Sequence, residues 1–410
     1  MTTPTTSSIT ASITPSITPV SEDRCPLEDV SLITAQPGVG LPYDRLAEAR
    51  AEGCPLVDSR FHELYVVTRY ADVRFVLEHP EFFSSRDPNI LGALPVRLPP
   101  LDADPPLQQD FRKLLNPFFT RGYFARFEPD MRRIARDAIA GWLDRGHCEF
   151  VSEFAIPFTA GVLAQLVFNE TDADRLARAI GYVTAVAEVQ NHESFFNLAV
   201  LAGEYLVEQE ERGSVGENSI LRAVSEGTVG GRPMTQDEQI GVITVLFLGG
   251  LDTTRAAIGN IAAQLATDPT LEDRLRDPAW VKHDLEEFIR FESPVITMAR
   301  TVLADVELGG RRLKAGDRVA ISFSSANRDE TKFEDPDQLR FDRTRAGHAG
   351  FGLGIHRCIG MHLARFQIAV AFDELLGAAT GLRLRPGFTP ETPPGVVLGV
   401  HTLQLEFDRR

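Results

Sequence analysis

The stretch that decides the fold is Phe351-Gly-Leu-Gly-Ile-His-Arg-Cys-Ile-Gly360. It carries one cysteine, Cys358, and is followed by a helical pattern from about Ile359 to Leu376, with Gly377 read as its stop. A lone cysteine ahead of a helix is most often a small buried hydrophobe. Here the surroundings suit a thiolate. A helix that begins just after Cys358 points free N–H groups and a positive dipole end at the sulfur. Gly354 and Gly360 permit backbone conformations and a close approach that a side chain would block. A thiolate so placed can ligate haem iron and push electron density toward bound oxygen.

Upstream, Thr235 and Glu238 spell a Thr-x-x-Glu capping box, and a helical pattern then runs from Gln236 to Thr267, just before Pro269. At 1.5 Å per residue such a helix reaches about 48 Å, enough to cross a whole domain. Both its faces must then be buried near the middle. That middle reads Gly249-Gly-Leu-Asp-Thr-Thr254. Two adjacent glycines inside a helix cost about 1 kcal/mol each relative to alanine. Close helix packing is the ordinary reason for them; a groove opened beside a ligand is the functional one. Thr253 can bond the carbonyl of Gly249, four residues back, and distort the turn. Further on, Glu287-Phe-Ile-Arg290 sets an acid and a base on one helix face. Taken alone, that spacing reads as a surface ion pair.

The rest of the chain sets bounds. It has 410 residues, 43% apolar and 24% charged, as soluble globular proteins do. The net charge of -16 argues against nucleic acid as a general partner. The four cysteines, Cys25, Cys54, Cys148 and Cys358, form no CxxC pair, which fits free thiols in a reducing cytoplasm. Residues 1–22 are rich in Thr, Ser and Pro and read as a disordered tail, with neither a signal peptide nor a membrane anchor. Residues 23–410 read as a single domain. Strand character appears at Leu64–Arg69 and over Val302–Phe323, where Gly309, Gly310 and Gly316 mark turns.

Together these motifs resemble the cytochrome P450 family, in particular its bacterial soluble members of the camphor-hydroxylase type. Phe351, Gly354, Cys358 and Gly360 fill the signature Phe-x-x-Gly-x-x-x-Cys-x-Gly, and the resemblance runs from about residue 41 to the C-terminus. It implies a mainly α fold with a smaller β region, and haem b (iron protoporphyrin IX) between the long central helix and the cysteine loop. Cys358 would be the metal ligand. Asp252 would relay protons, and Thr253 would position the oxygen and its water beside Gly249. Glu287 and Arg290 would join Arg343, with Arg345 as the rival, to lock the loop before the cysteine. Arg112, Arg300 and His356 would meet the haem propionates, as Arg forks suit carboxylates. Gln108 stands where the family usually has His or Trp, which weakens one propionate donor.

Val245, Leu248, Gly249 and Asp252 recur at helical spacing and would face the haem. Val295 and Ile296, after Pro294, fall on a family pocket segment. Leu94, Pro95, Val96, Leu98 and the Phe195-Phe196 pair are further pocket candidates, with simple core as their ordinary reading. Such a pocket is apolar and compact and fits a small terpenoid or aromatic. No tyrosine lies between Tyr70 and Tyr123, so camphor itself is disfavoured. The resemblance implies O2 as co-substrate and a separate ferredoxin with its NAD(P)H-dependent reductase, and no membrane. Lys113, Arg121, Arg357 and Arg365 would form a basic patch for an acidic donor. A peroxide-driven peroxygenase and a non-catalytic haem-thiolate ligand binder are the alternatives; the intact Asp252-Thr253 pair weighs against both.

Overall fold

The computed structural model describes residues 41–53, 55–58, 64–90, 93–168, 172–189, 192–212, 219–343, 347–392 and 395–410. The expected tail over residues 1–22 lies outside these residues, as do Cys25, Cys54 and Arg345. The helices that frame the site are α1 (Tyr70–Glu78), α2 (Leu107–Leu115), α3 (Ile156–Val162), α4 (Ala173–Val189), α5 (His192–Arg212), α6 (Gln236–Thr267), α7 (Leu285–Glu292) and α8 (Met361–Ala378).

The central helix, α6, has the bounds its caps dictate. Thr235 Oγ1 accepts from the Glu238 N–H at 3.2 Å, and the Thr235 N–H donates to Glu238 Oε2 at 2.8 Å. Asp268, before Pro269, is already extended. Val242, Ile243, Phe247, Ile258 and Ile261 lie on different faces of α6, and all are buried in the main apolar core. Among the described helices only α6 is long and apolar enough to cross a membrane, and 67% of its most apolar window is buried inside the protein. That burial is what a helix through the middle of a core requires.

A five-stranded sheet flanks the helices. Its strands are β1 (Leu56–Asp58), β2 (Leu64–Val67), β3 (Phe83–Ser84), β4 (Thr297–Val302) and β5 (Arg318–Ser322), in the order β1-β2-β5-β4-β3. β5 runs parallel to β2 and antiparallel to β4. Gly309, Gly310 and Gly316 take left-handed φ values of 57°, 81° and 96° in the turns between β4 and β5. The final helix differs from expectation. It starts at Met361, not Ile359, and runs through Gly377 to Ala378, where the chain passes straight into the strand Ala379–Leu384. With no reversal at that point, no left-handed cap is needed, and Gly377 stays helical. The architecture is mainly α with a smaller β region.

Candidate active site

The cysteine loop is built from its own backbone. The Cys358 N–H donates to Phe351 O at 2.8 Å, and a short 3-10 turn, Gly354–His356, lies between them. Gly354 has φ +65°, and a Cβ there would collide with the Leu77 carbonyl of α1. That glycine seats the loop on α1; it does not line the cavity described below, contrary to its expected place against the cofactor. Gly360 does line the cavity, and its N–H donates to the Cys358 sulfur. A Cβ at Gly360 would stand 3.9 Å from Sγ, an ordinary contact, so the sulfur alone does not demand a glycine there. Cys358 lies deep in the protein yet keeps exposed surface, because it lines the cavity. Burial pushes its thiol pKa up, opposed by the Gly360 N–H and by Arg112, Arg365 and Arg357.

The cavity has a volume of about 430 Å³ and lies between α6 and the cysteine loop. Its walls are largely apolar. Four basic side chains of the described residues nevertheless line it: His192, and the three expected ones, Arg112, Arg300 and His356. Arg300 is buried, and its Nη1 donates to the adjacent Ala299 carbonyl at 2.7 Å. Burial brings its pKa down to about 10, partly offset by Asp104. His356 Nε2 is buried without a partner, and burial plus the two arginines hold that ring near 3. Burial also lowers Arg112. Buried positive charge without an answering carboxylate is costly. A ligand that brings two carboxylates to these residues and a metal to Cys358 resolves that cost, and haem b, with its two propionates, is such a ligand. The residues present fit it. Gln108 also lines the cavity, but its Nε2 donates to Ile355 O at 2.8 Å, tying α2 to the cysteine loop.

Opposite the cysteine loop, Thr253 Oγ1 donates to Gly249 O at 2.7 Å. Gly249 has open space where its Cβ would be, and both residues line the cavity. Gly250 has a different reason: a Cβ there would stand 2.7 Å from Leu163 Cδ1. Asp252 is buried and ion-paired to Arg255, whose Nη2 and Nε reach its Oδ1 at 2.6 and 2.8 Å. Arg255 Nη1 also donates to Val400 O at 3.1 Å. Arg255 went unsuspected in the sequence, although its position three residues after Asp252 is the signal for such a pair. Asp252 lines the main cavity and also a much smaller one, of about 10 Å³, shared with Thr159, Thr184 and Arg255.

Leu98, Val245, Leu248 and Val295 line the cavity, with Leu94 and Phe195. Ile296 does not. It lies between Val295 and Thr297, which do, and the alternation of an extended chain turns it into a separate apolar cluster with Ile90 and Leu398. Val96 and Pro95 are not in the lining, and Phe196 is 59% exposed while Phe195 is 3% exposed. Leu163, Val167, Val183 and Val186 complete the wall behind α6. They sit in long apolar helical runs, where sequence alone does not separate a cavity wall from plain core.

Behind the cysteine loop, α7 holds two adjacent carboxylates. Glu287 receives Arg290 at both oxygens, each at 2.7 Å, and Arg343 Nε at 3.1 Å. Arg290 also donates to the carbonyls of Asn327, Pro336 and Gln338. The buried carboxylate thus fastens α7 to the segment that leads into the loop.

The cytochrome P450 family model matches residues 281–378. The protein named "Probable cytochrome P450 127A1" from Sinorhizobium fredii is 32% identical to this chain, over 89% of this chain and 90% of its own length. Linalool 8-monooxygenase from Pseudomonas putida is 29% identical, over 86% of this chain and 91% of its own. The solved structure of HmtN, a hydroxylase of himastatin biosynthesis, matches with a TM-score of 0.78 at 29% identity, over 88% of this chain and 96% of that one. A thiol facing a cavity lined by two arginines and an unpartnered histidine, beneath a central helix of matching fold, belongs with those sequences: this chain is a member of the cytochrome P450 family, a haem-thiolate monooxygenase that binds haem b.

Proposed function

We propose that this P450 inserts one oxygen atom from O2 into a small apolar substrate, a terpenoid or an aromatic, in the cytoplasm, with electrons from a separate ferredoxin, and that residues 23–410 act as one domain. The observation that carries the substrate class is the cavity wall over α6. Leu94, Leu98, Phe195, Val245, Leu248 and Val295 present no hydrogen-bonding side chain to a guest. Such a wall favours hydrocarbon and excludes water from the reacting centre.

Haem ligated by a thiolate supplies the activation of O2 and the cleavage of its O–O bond. Cys358 would hold the iron, and Arg112, Arg300 and His356 the propionates. The chain's own contribution to proton handling falls to two residues. Thr253 Oγ1 donates its proton's hydrogen bond to Gly249 O, so its lone pairs are free to accept a hydrogen bond from a water or a protonated group in the cavity. Asp252 is a carboxylate one residue away that reaches both cavities, and Arg255 holds it in place.

An acidic electron donor would dock on the cysteine side. Arg121, Arg357 and Arg365 all bear on His362 there. Two members of the expected basic patch are already engaged: Lys113 pairs with Asp110 at 3.1 Å, and Arg365 with Glu286 at 2.6 Å. Arg121 and Arg357 are thus the exposed cations best placed for docking.

The test is a titration of a diverse apolar library, watching the ferric spin-state shift, followed by turnover with a surrogate ferredoxin, its reductase and NADH. The reading requires apolar terpenoids or aromatics to shift the spin state and to yield oxygenated product with NADH consumed. A strong preference for long charged molecules, or product formed with peroxide but never with O2 and reductant, would overturn it.

A further inference from the structure

The second carboxylate of α7, Glu286, faces a different set of partners from Glu287. Arg365, on α8, meets it as a fork, Nε to Oε1 at 2.6 Å and Nη2 to Oε2 at 2.8 Å. His348 Nε2 lies 3.0 Å from Oε2. The Gly350 N–H donates to His348 Nδ1 at 3.0 Å, so Nδ1 is the acceptor and Nε2 carries the proton that goes to Glu286. A neutral His348 therefore satisfies both bonds.

The held arginine then reaches the cysteine loop. Its guanidinium carbon stands 4.6 Å from the centroid of the Phe351 ring. Phe351 O is the acceptor of the Cys358 N–H. One carboxylate thereby fixes three points around the sulfur: the start of the loop at His348, its aromatic residue Phe351, and the second turn of α8. The charges matter as well as the positions. Arg365 is among the cations that act on Cys358, and among the described residues Glu286 is the carboxylate that forks to it.

We propose that Glu286 is a positioning residue that sets the reduction potential of the iron centre, by clamping Arg365 over Phe351 and neutralising its charge beside the thiolate. No bond is made or broken in this; the half-reaction is one electron added to the ferric centre. Without Glu286, an unanswered cation beside the centre favours the added electron and raises the potential. Without Arg365, an unanswered carboxylate opposes it and lowers the potential. The proposal rests on ligation of iron by Cys358.

The experiment uses the full, haem-loaded chain and the variants Glu286→Gln, Arg365→Gln and the double variant. Midpoint potentials come from reductive titration with dithionite, and the carbonyl spectrum of each variant reports its ligation. The expected result is a positive shift for Glu286→Gln, a negative shift for Arg365→Gln, and a double variant closer to the parent than either. If both single variants shift the same way, or if neither moves while the thiolate-type carbonyl spectrum persists, the proposal is overturned and the ligation stands. A nitrogen-type carbonyl spectrum in the parent would instead remove its basis. Should Glu286→Gln fail to retain haem, Arg365→Gln alone decides: its potential must fall below the parent's, and an unchanged or higher potential with the thiolate-type carbonyl spectrum overturns the proposal.

Discussion

Thr253 and Asp252 are neighbours in sequence but have different partners. Thr253 Oγ1 is bonded to Gly249 O and lines the cavity. Replacing it with alanine removes the hydroxyl without disturbing a core contact. Thr253→Ala is expected to keep consuming NADH while releasing peroxide in place of product. Measuring peroxide against product checks this, and unchanged coupling would defeat the role given to the hydroxyl. Asp252→Asn keeps the shape but loses the charge that Arg255 holds. Product formation should slow by roughly 100-fold, the lower end of what a positioned acid–base group contributes. The identity of both residues was legible in the sequence, since the resemblance names them and the four-residue spacing anticipates the Thr253–Gly249 bond. The clamp on Asp252 was not, because Arg255 at that spacing has the same look as any surface arginine.

At the level of elements, the cysteine loop is held from two sides. On one side it lies against α1, where Gly354 lets backbone meet backbone. Gly354→Ala needs a left-handed alanine and a displaced α1. The first of these alone costs of order 1–3 kcal/mol. The variant is expected to melt at lower temperature and to retain less haem, read by thermal denaturation and by haem content. On the other side, Glu287 gathers Arg290 and Arg343 in a site with little water. Removing that carboxylate strands two arginine charges, and breaking a buried pair costs about 3–5 kcal/mol. Glu287→Gln should therefore yield little folded, haem-loaded protein, while exposed Arg133, on a helix away from the cavity, should tolerate the same treatment. The central helix was legible to the residue, because Thr235, Glu238 and Pro269 are strong local signals. The end of α8 was missed, because a glycine stops a helix only where the chain must turn, and the following strand removes that need.

For the whole molecule, acid stability follows from the paired carboxylates. Burial alone would raise Glu286, but the hydrogen bonds from Arg365 and His348 and the charge of Arg365 win and hold it near 2, below its ordinary 4.5. A carboxylate with a depressed folded pKa contributes stability that is present above its unfolded pKa and lost as pH falls through the folded one. Glu286 should thus support the fold fully above about pH 5, and its share should disappear between there and about pH 2. Denaturant midpoints measured down that range in the parent and in Glu286→Gln check it: the two curves should converge as the pH drops. The fold was legible because its signature is local in sequence. The guest pocket was legible only in part. Val295 and Ile296 are adjacent and equally apolar, and only the register of the chain beside the cavity decides that one faces the guest and the other the core.

Everything above depends on the sulfur at residue 358 being bonded to iron. The most direct test is the absorption spectrum of the reduced carbonyl complex, taken on the parent and on Cys358→Ser. The expected result is the red-shifted Soret band of a thiolate-ligated centre in the parent and its loss in the serine variant. A nitrogen-ligated spectrum in the parent, or a serine variant indistinguishable from it, would show that Cys358 does not hold the iron.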